Sequence, residues 1–319
     1  MLVIDIKKRK EFLREIKKTK IVVIGDSMLD IFSYGKTERL SPEAPVPVID
    51  IFSKEFTLGG AANVARNIRS LGGEVSLFSV VGNDEHGSSI SRMLKKEKIN
   101  SFLVESETRQ TTVKERILEG NKHFVRIDIE LKNPIVKKIE TKLIKNFQKE
   151  ANSADVLIFS DYAKGVITER IVSEFCKIAH TKKIPIIVDT KPKNASLFRG
   201  KKITLFTPNL KEAHDISGKK NMKEVSKYLQ HFFGAPILIT EGEKGMTLYE
   251  NNKSFHVDAQ SSTIVDVSGC GDTVISTLAL AIATKKSMHE AVSLANFVAG
   301  IVVQKKGTAV VTAKELLQY

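Results

Sequence analysis

One segment of the sequence combines two glycines, an aspartate and the start of an apolar stretch, and this combination could perform phosphate chemistry. It reads Asp-Val-Ser-Gly-Cys-Gly-Asp-Thr from 266 to 273, and the apolar residues 274–283 follow it directly. A glycine turn at a helix N-terminus attracts anions, because its amides are accessible and the helix dipole adds about half a positive charge. Asp272 beside this turn could remove the proton of an attacking hydroxyl, or it could simply stabilise the helix N-terminus.

A second segment, from 58 to 65, is rich in small residues and includes an amide side chain. Gly59 and Gly60 precede a helix predicted over 61–71, so a substrate could lie against bare backbone at this point. The side chain of Asn63 could then donate a hydrogen bond to a substrate hydroxyl. Close packing of the helix on a sheet explains the same small residues equally well.

A third segment places Asn209 and Glu212 directly after the apolar run 203–207. Their spacing at the start of a helix predicts a capping box, in which each side chain bonds the backbone amide of the other residue. The same pair could instead lie beside a bound ligand, since open parallel sheets bind ligands at the ends of their strands. Both interpretations remain open from the residues alone.

Several other chemical motifs are missing from the sequence. Neither Gly-x-Gly-x-x-Gly nor Gly-x-x-x-x-Gly-Lys-Ser/Thr stands at a strand-to-helix turn, and no Gly-x-Ser-x-Gly occurs. Dinucleotide-dependent, P-loop and hydrolase sites are therefore disfavoured. The seven histidines are scattered, which gives little support to a transition-metal site. The two cysteines, Cys176 and Cys270, indicate a reducing compartment rather than a disulfide framework.

The overall composition is that of a globular protein with a positive surface. Of the 319 residues, 42% are hydrophobic and 27% are charged, and the net charge of +13 favours anionic ligands. The basic residues between 7 and 20 surround Phe12, Leu13 and Ile16 at helical spacing, so we expect an amphipathic helix rather than a nucleic-acid or membrane surface. No apolar stretch reaches the length of a membrane span and no secretion signal is present, which predicts a cytoplasmic protein.

Strands and helices that alternate along the chain predict a single α/β domain over 1–319. We expect a three-layer sandwich with a mostly parallel central sheet. Strands are predicted at 20–25, 75–81, 156–160, 184–189, 203–207 and 237–240, and helices at 61–71, 87–96, 134–151, 167–180, 222–233 and from 271 and 287 onward.

Two segments interrupt this alternation. Residues 31–52 contain three prolines, and residues 109–129 include an alternating polar and apolar stretch around a turn at 119–121. These segments predict extended strands or hairpins, which could pair into a small β lid beside the main domain or form a dimer surface. A further hairpin is predicted over 245–257, with its turn at 250–252.

Taken in this order, the motifs resemble the ribokinase-like family of carbohydrate kinases over residues 21–312. Gly59 and Gly60 with Asn63 resemble the sugar-binding signature of the family, and residues 266–272 resemble its second signature, which contains an anion hole and a catalytic aspartate. The resemblance implies an enzyme that transfers a phosphoryl group from ATP to a sugar hydroxyl.

The resemblance also implies roles for individual residues. Asp272 would be the base, and the amides of Gly269, Cys270 and Gly271 would form the anion hole, where the family usually has alanine at the cysteine position. Asn209 and Glu212 resemble an element that helps to place magnesium and phosphate, and activation by a monovalent cation is left open. The residues expected to bind ATP are Asn209, Glu212, Thr240, Gly242, Gly245 and Asn296.

Within that family, several strings are similar to a subgroup that phosphorylates heptose 7-phosphate at the anomeric hydroxyl to give the 1,7-bisphosphate, a precursor of ADP-heptose and lipopolysaccharide. They are Gly25-Asp-Ser-Met-Leu-Asp30, Leu40-Ser-Pro-Glu-Ala-Pro-Val-Pro47, Phe124-Val-Arg-Ile-Asp128, Phe159-Ser-Asp-Tyr-Ala-Lys-Gly165 and Val188-Asp-Thr-Lys-Pro-Lys193. Fructose, ribose or a nucleoside is the alternative substrate, and an inactive binding protein is the alternative of another class.

The subgroup resemblance implies a set of substrate-binding residues and a partner. Relatives in this subgroup carry a second half, a nucleotidyltransferase, that activates the kinase product. For this chain we expect a separate protein to carry out that activation. We also expect a homodimer that forms through the β lid. The residues expected to bind the sugar phosphate are Asp26, Asp30, Gly59, Gly60, Asn63, Arg116, Arg126, Asp161, Lys164 and Lys191.

Overall fold

The computed structural model describes residues 4–120, 122–260 and 264–319. Its helices and strands follow one another as α1 (Ile6–Glu15), β1 (Lys20–Gly25), β2 (Ser27–Leu40), β3 (Pro47–Gly60), α2 (Ala61–Leu71), β4 (Glu74–Gly82), α3 (Glu85–Lys96), β5 (Asn100–Ser106), β6 (Thr112–Glu119), β7 (Lys122–Ile129), α4 (Lys137–Glu150), β8 (Val156–Asp161), α5 (Glu169–Thr181), β9 (Ile186–Thr190), β10 (Leu205–Phe206), α6 (Leu210–Ser217), α7 (Met222–Phe233), β11 (Ile237–Thr240), β12 (Met246–Glu250), β13 (Lys253–Val257), α8 (Cys270–Ala283), α9 (Met288–Val302) and α10 (Ala313–Gln318).

The larger sheet has the strand order β13-β12-β11-β10-β9-β8-β1-β4-β5. The strands from β5 to β11 in this order pair in parallel, and β12 and β13 form an antiparallel hairpin at one edge. The predicted mostly parallel sheet is therefore confirmed. The sequence interpretation did not include β5, a partly exposed edge strand that lacks the continuous apolar run of the central strands.

Two apolar clusters cover the two faces of this sheet. Alternate residues of β1 point to opposite faces, so Ile21 and Val23 join one cluster whereas Val22 and Ile24 join the other. The first cluster includes residues of α1, α2, α8 and α9, and the second includes residues of α4, α5 and α7. Each fully buried aliphatic side chain contributes about 1.5–3 kcal/mol. The predicted three-layer sandwich is confirmed.

The four remaining strands form a second, smaller sheet in the order β3-β2-β6-β7, which we call the lid. The prediction of a small second sheet is confirmed, but β2 and β3 extend further than the predicted 31–52. The reason is that the two strands keep pairing as far as Ser27 and Gly60, where the chain enters the main sheet and α2. Of the predicted turn at 119–121, residue Asn121 lies outside the described residues.

The basic N-terminal segment and the second hairpin also follow their sequence patterns. Phe12, Leu13 and Ile16 are buried on the inner side of the basic segment, as the helical spacing predicted. In the hairpin of β12 and β13, Asn251 and Asn252 both have positive φ values, which suits a tight turn between antiparallel strands. None of the helices in the described ranges is long and apolar enough to cross a membrane.

Candidate active site

Asp272 lies in the first turn of α8, next to the glycine turn that precedes this helix. Gly269 has φ of 76°, a conformation that favours glycine. A Cβ at Gly269 would lie 2.9 Å from Nδ2 of Asn63, the atom that contacts Asp272. A Cβ at Gly271 would meet no atom within 4 Å. The turn therefore leaves open space in front of the helix N-terminus.

The anion hole predicted at this turn consists of the backbone amides of Gly269, Cys270 and Gly271. The amide of Cys270 donates to the carbonyl oxygen of Val267 at 3.2 Å. Asp266 fixes the turn by accepting hydrogen bonds from the amides of Ser268 at 2.8 Å and Gly307 at 2.9 Å. Burial alone would raise the pKa of Asp266. The hydrogen bonds from Ser268 and Gly307 have the larger combined effect, and the net pKa lies below its ordinary value. The turn is thus held in place by an ionised carboxylate.

Both carboxylate oxygens of Asp272 accept a hydrogen bond. Asn63 of α2 donates its Nδ2 to Oδ2 at 2.7 Å, and Tyr162 donates its hydroxyl to Oδ1 at 2.5 Å. Burial raises the pKa of Asp272 to about 6, the two hydrogen bonds lower it, and the nearby charge of Asp30 raises it. A buried carboxyl group with a pKa near neutrality is suited to accept a proton during a reaction.

Asp26, at the end of β1, holds the loop that carries Tyr162. Its Oδ2 accepts hydrogen bonds from the amides of Tyr162 at 2.9 Å and Lys164 at 3.0 Å, and its Oδ1 accepts one from Val166 at 3.0 Å. Burial, followed by the charge of Asp161, raises the pKa of Asp26 to about 6, although the three amides lower it. Asp26 thus holds the backbone of this loop, and its predicted role in sugar binding stays a prediction.

Asp161, another predicted sugar ligand, is also occupied by neighbouring protein groups. Its carboxylate accepts hydrogen bonds from the hydroxyl of Thr190 at 2.5 Å, from Nδ2 of Asn194 at 3.0 Å and from the amide of Ala163 at 2.8 Å. Asp161 is almost completely buried. In this arrangement Asp161 fixes the ends of β8 and β9 together.

Asp30 of β2 and Arg116 of β6 form a nearly buried ion pair, with Nη1 and Oδ1 2.7 Å apart. The guanidinium of Arg116 also lies over the ring of Phe32, 5.2 Å from its centroid. A Cβ at Gly59 would lie 2.4 Å from Oδ2 of Asp30, so glycine is needed at this position. Gly60 has φ of 58° and packs against the carbonyl oxygen of Asp26. Three of the predicted sugar-binding positions, Asp30, Gly59 and Arg116, therefore meet at the base of the lid.

Each of the four predicted phosphate-binding cations contacts a carboxylate, and the four are divided between the lid and the main domain. The pairs are Arg116 with Asp30, Arg126 with Asp128, Lys164 with Glu130 and Lys191 with Glu212. Arg126 has the most exposed side chain of the four, at 56%. A bound phosphate would have to compete with these carboxylates or be shared with them.

Asp189 of β9 was not assigned a role by sequence reasoning. Burial raises the pKa of Asp189 to about 8, and the charges of Glu212, Asp272 and Asp161 raise it further, whereas Lys191 lowers it. This raised pKa, close to the charge of Asp272, makes Asp189 a further candidate site residue. Tyr162 was also given no role by sequence reasoning, although it lies in a string that resembles the kinase subgroup.

The predicted nucleotide-side residues adopt well-defined turns. Asn209 and Glu212 form the predicted capping box at the start of α6, and the other oxygen of Glu212 contacts Lys191 at 2.5 Å. Thr240 pairs with Asn209 in an isolated parallel bridge. Gly242 and Gly245 have positive φ, as many turn glycines do. Asn296 of α9 donates a hydrogen bond from Nδ2 to the carbonyl oxygen of Asp258 at 2.8 Å.

Asn209 and Glu212, which are expected to help place magnesium indirectly, both make hydrogen bonds within the protein. Both oxygens of Glu212 and the side-chain oxygen of Asn209 are engaged by protein donors. Across residues 4–120, 122–260 and 264–319, no group of three or more His, Cys, Asp or Glu side chains is placed to hold a metal. The placement of magnesium through Asn209 and Glu212 stays a prediction.

A buried carboxyl group beside a glycine turn at a helix N-terminus, on this α/β fold, suits an enzyme that transfers phosphoryl groups. Residues 18–314 match the description "pfkB family carbohydrate kinase", and the chain belongs to this family. The enzyme is thus a carbohydrate kinase, and membership of a kinase family implies ATP as the phosphoryl donor.

Similar proteins include "Bifunctional protein HldE" of Haemophilus influenzae (strain PittEE), with 40% identity over 314 residues, and the protein of the same name from Caulobacter vibrioides, with 41% identity over 308 residues. These matches cover 96% and 93% of this chain but only 64% and 62% of the relatives, so the chain spans less than two thirds of their length.

Two solved structures share the fold at low sequence identity. Phosphofructokinase-2 of Escherichia coli in complex with potassium has a TM-score of 0.76 at 18% identity, with 94% of this chain and 97% of that chain covered. Ribokinase of Arabidopsis thaliana complexed with ribose and ATP has a TM-score of 0.72 at 19% identity, with 94% and 98% covered. At such identities the likeness concerns the fold alone.

Proposed function

We propose that this chain phosphorylates the anomeric hydroxyl of D-glycero-β-D-manno-heptose 7-phosphate with ATP, giving the 1,7-bisphosphate for ADP-heptose and lipopolysaccharide precursor synthesis. The observation that carries the kinase mechanism is the placement of Asp272, which is buried and doubly hydrogen-bonded beside the open glycine turn of α8. The choice of heptose is supported by the strings that resemble the heptose kinase subgroup and by the similarity to the HldE proteins over most of this chain.

In the proposed reaction Asp272 accepts the proton of the sugar hydroxyl. The hydroxyl oxygen forms a bond to the γ-phosphorus of ATP while the bond from that phosphorus to the bridging oxygen breaks, and ADP leaves. The backbone amides of Gly269 and Gly271 and the N-terminus of α8 stabilise the negative charge that develops on the phosphoryl oxygens, and the amide of Cys270 would have to leave Val267 to join them. Each such donor is worth about 3 kcal/mol in enzymes of this general kind.

The sugar in this proposal lies between the base of the lid and α8. Gly59 lies near Asp30, Gly60 near Asp26 and Asn63 near Asp272. The two glycines would leave room for the sugar, and Asn63 would bond its hydroxyls. Asp26 and Asp161 hold the loop after β8, and their contacts with the sugar stay predictions. The ATP-binding roles of Asn209, Thr240, Gly242, Gly245 and Asn296, and activation by a monovalent cation, stay predictions.

The sugar phosphate group is proposed to bind to the inner face of the lid. Arg116 and Arg126 are paired across β6 and β7, so their side chains leave the sheet on the same face. Phe32, which pairs with Arg116 across β2 and β6, helps to line a cavity of about 850 Å³ between the lid and segments 265–266 and 306–309. This volume can accommodate a sugar phosphate.

Replacing Arg126 with alanine is expected to raise the KM for the sugar phosphate about tenfold and to leave kcat nearly unchanged. Among the described residues its guanidinium forms an ion pair and hydrogen bond with Asp128 alone, and the side chain is 56% exposed, so its loss should not disturb the fold. A hydrogen bond to a charged group is worth about 1.5–3 kcal/mol. Steady-state kinetics would measure the change, with Arg92→Ala on α3 as the matched control. An unchanged KM would remove Arg126 from the site.

A coupled assay of ADP release tests the choice of substrate. Heptose 7-phosphate is expected to give the highest kcat/KM among heptose 7-phosphate, fructose, fructose 6-phosphate, ribose and nucleosides. The anomeric position should carry the new phosphate in the product, as measured by phosphorus NMR. A higher kcat/KM for an unphosphorylated sugar would favour the alternative, another sugar kinase of the same family. Absence of turnover with every sugar would favour an inactive binding protein.

We also propose that a second copy of the chain covers the outer face of the lid. Ile127 lies on the face of the lid opposite to Arg116 and Arg126 and is 44% exposed. Val125 and Ile129 flank Ile127 on the same face and are 42% and 37% exposed. An apolar strip of this kind on a sheet is typical of an interaction surface, and a twofold dimer would bury two such strips together.

Ile127→Asp is expected to convert the dimer to a monomer, because a charge would be placed in the centre of the apolar strip. Size-exclusion chromatography with light scattering measures the mass directly. Lys122→Glu on the same strand is the control for a change of charge outside the strip. A wild-type protein that is monomeric at micromolar concentrations, or a variant that stays dimeric, would contradict the proposal.

A further inference from the structure

We propose that Tyr162 is a positioning residue for Asp272, an inference that rests on the proposed function, in which Asp272 is the base. The hydroxyl of Tyr162 donates to Oδ1 of Asp272 at 2.5 Å, while Asn63 donates to Oδ2 at 2.7 Å. The two donors come from different elements, the loop after β8 and helix α2. Together they fix the plane of the carboxylate.

This arrangement still leaves the carboxylate able to accept a proton. Each carboxylate oxygen has two lone pairs, and one donor per oxygen leaves one lone pair on each. The sugar hydroxyl can therefore bond Asp272 without displacing Tyr162 or Asn63. A base held in one orientation loses less entropy when the substrate binds, which is the advantage of a preorganised site.

Tyr162 is itself held on three sides, so that its hydroxyl has a defined direction. Its amide donates to Asp26, the amide of the next residue donates to Asp161 at 2.8 Å, and Nζ of Lys191 lies 5.2 Å from the centroid of its ring. Asp26 and Asp161 are both almost fully buried. The two aspartates at the ends of β1 and β8 thus position the base through Tyr162.

The groups around Asp272 determine how loss of the Tyr162 hydroxyl should change the pKa of Asp272. Asp30 on β2 and Asp189 on β9 are negative, Lys191 is positive, and Cys270 on α8 is the nearby thiol. Burial and the charge of Asp272 raise the pKa of Tyr162 well above its usual value, so it remains a donor throughout the neutral range. Because the hydroxyl stabilises the ionised carboxylate, its removal raises the pKa of Asp272.

The test is the pH dependence of kcat/KM for Tyr162→Phe, which keeps the ring and removes only the hydroxyl. A base must be ionised to act, so wild-type activity should fall on the acid side as Asp272 is protonated. The variant is expected to show the same fall at a pH about one unit higher. At acidic pH it should be about tenfold slower than wild type, and near pH 9 the difference should become small.

Two further variants separate this effect from a general loss of structure. Tyr228→Phe on α7, whose ring stacks on Phe232 at the surface, is the matched control and should leave the profile unchanged. Asp189→Asn removes the neighbouring carboxyl group whose pKa is raised to about 8, and the shift caused by Tyr162→Phe should persist in that background. Asp26, with a pKa of about 6, is bound by backbone amides that Tyr162→Phe leaves in place. A loss of activity that is equal at every pH, or an unmoved acid side, would overturn the role of Tyr162. Activity of Asp272→Asn would overturn the proposed function instead, so the two failures are distinguishable.

Discussion

Replacing Asp272 with asparagine is expected to lower kcat by about a thousandfold, while binding of ATP and sugar phosphate stays close to that of the wild type. General base catalysis contributes about 10²- to 10⁴-fold to a reaction rate, and an amide cannot accept the sugar proton. The change is best measured by single-turnover formation of ADP, since that reports the chemical step. Asp215→Asn on the exposed side of α6 is the matched control.

The variant should remain folded, so that the loss of activity can be attributed to chemistry. An asparagine side chain can accept from Asn63 and donate to the hydroxyl of Tyr162, because a hydroxyl is both donor and acceptor. Burial raises the pKa of Asp272 in the folded state to about 6, from 3.8. Its contribution to the free energy of unfolding is therefore fully present below about pH 4 and lost as the pH rises through 6. At neutral pH the asparagine variant should be at least as stable as the wild type, and kcat within tenfold of wild type would contradict the assignment.

The parts of the site that sequence could predict are those with a local cause. The glycine turn before α8 is visible because glycine, a polar turn and an apolar helix follow one another directly, and the Asn209 and Glu212 capping box depends on residues three positions apart. Continuous apolar runs likewise indicate the buried strands β1 and β8. In each case neighbours along the chain carry the signal.

The contacts that decide the chemistry have no such local cause. Tyr162 and Asp272 are 110 residues apart, and Asp26 accepts amides 136 to 140 residues further along the chain. Arg116 meets Asp30 because β2 and β6 pair in parallel with a particular register. Sequence reasoning identified Asp26 and Asp30 as candidates, but their different partners depend on tertiary packing. For the same reason it gave no role to Tyr162 or Asp189.

Replacing Asp26 with alanine is expected to lower the free energy of unfolding by about 3 kcal/mol or more and to reduce kcat as well. The carboxylate accepts three amide hydrogen bonds, and each buried donor left without a partner costs about 1–3 kcal/mol. Denaturant unfolding would measure the first effect. Asp155→Ala is the matched control, because this carboxylate accepts a single backbone amide, that of Lys20, at the other end of β1, and it should cost about 1 kcal/mol.

The pH dependence of this loss follows from the raised pKa of Asp26. Its folded pKa is about 6 against an ordinary value of 3.8, so the stability that the group adds is greatest below about pH 4 and declines as the pH rises through 6. The deficit of Asp26→Ala relative to wild type should therefore be larger at acidic than at alkaline pH. Asp26→Asn, which keeps one acceptor oxygen, should lie between the two proteins. If Asp26→Ala were as stable as Asp155→Ala and as active as wild type, the loop after β8 would not depend on Asp26, and Tyr162 would need another anchor to hold the base.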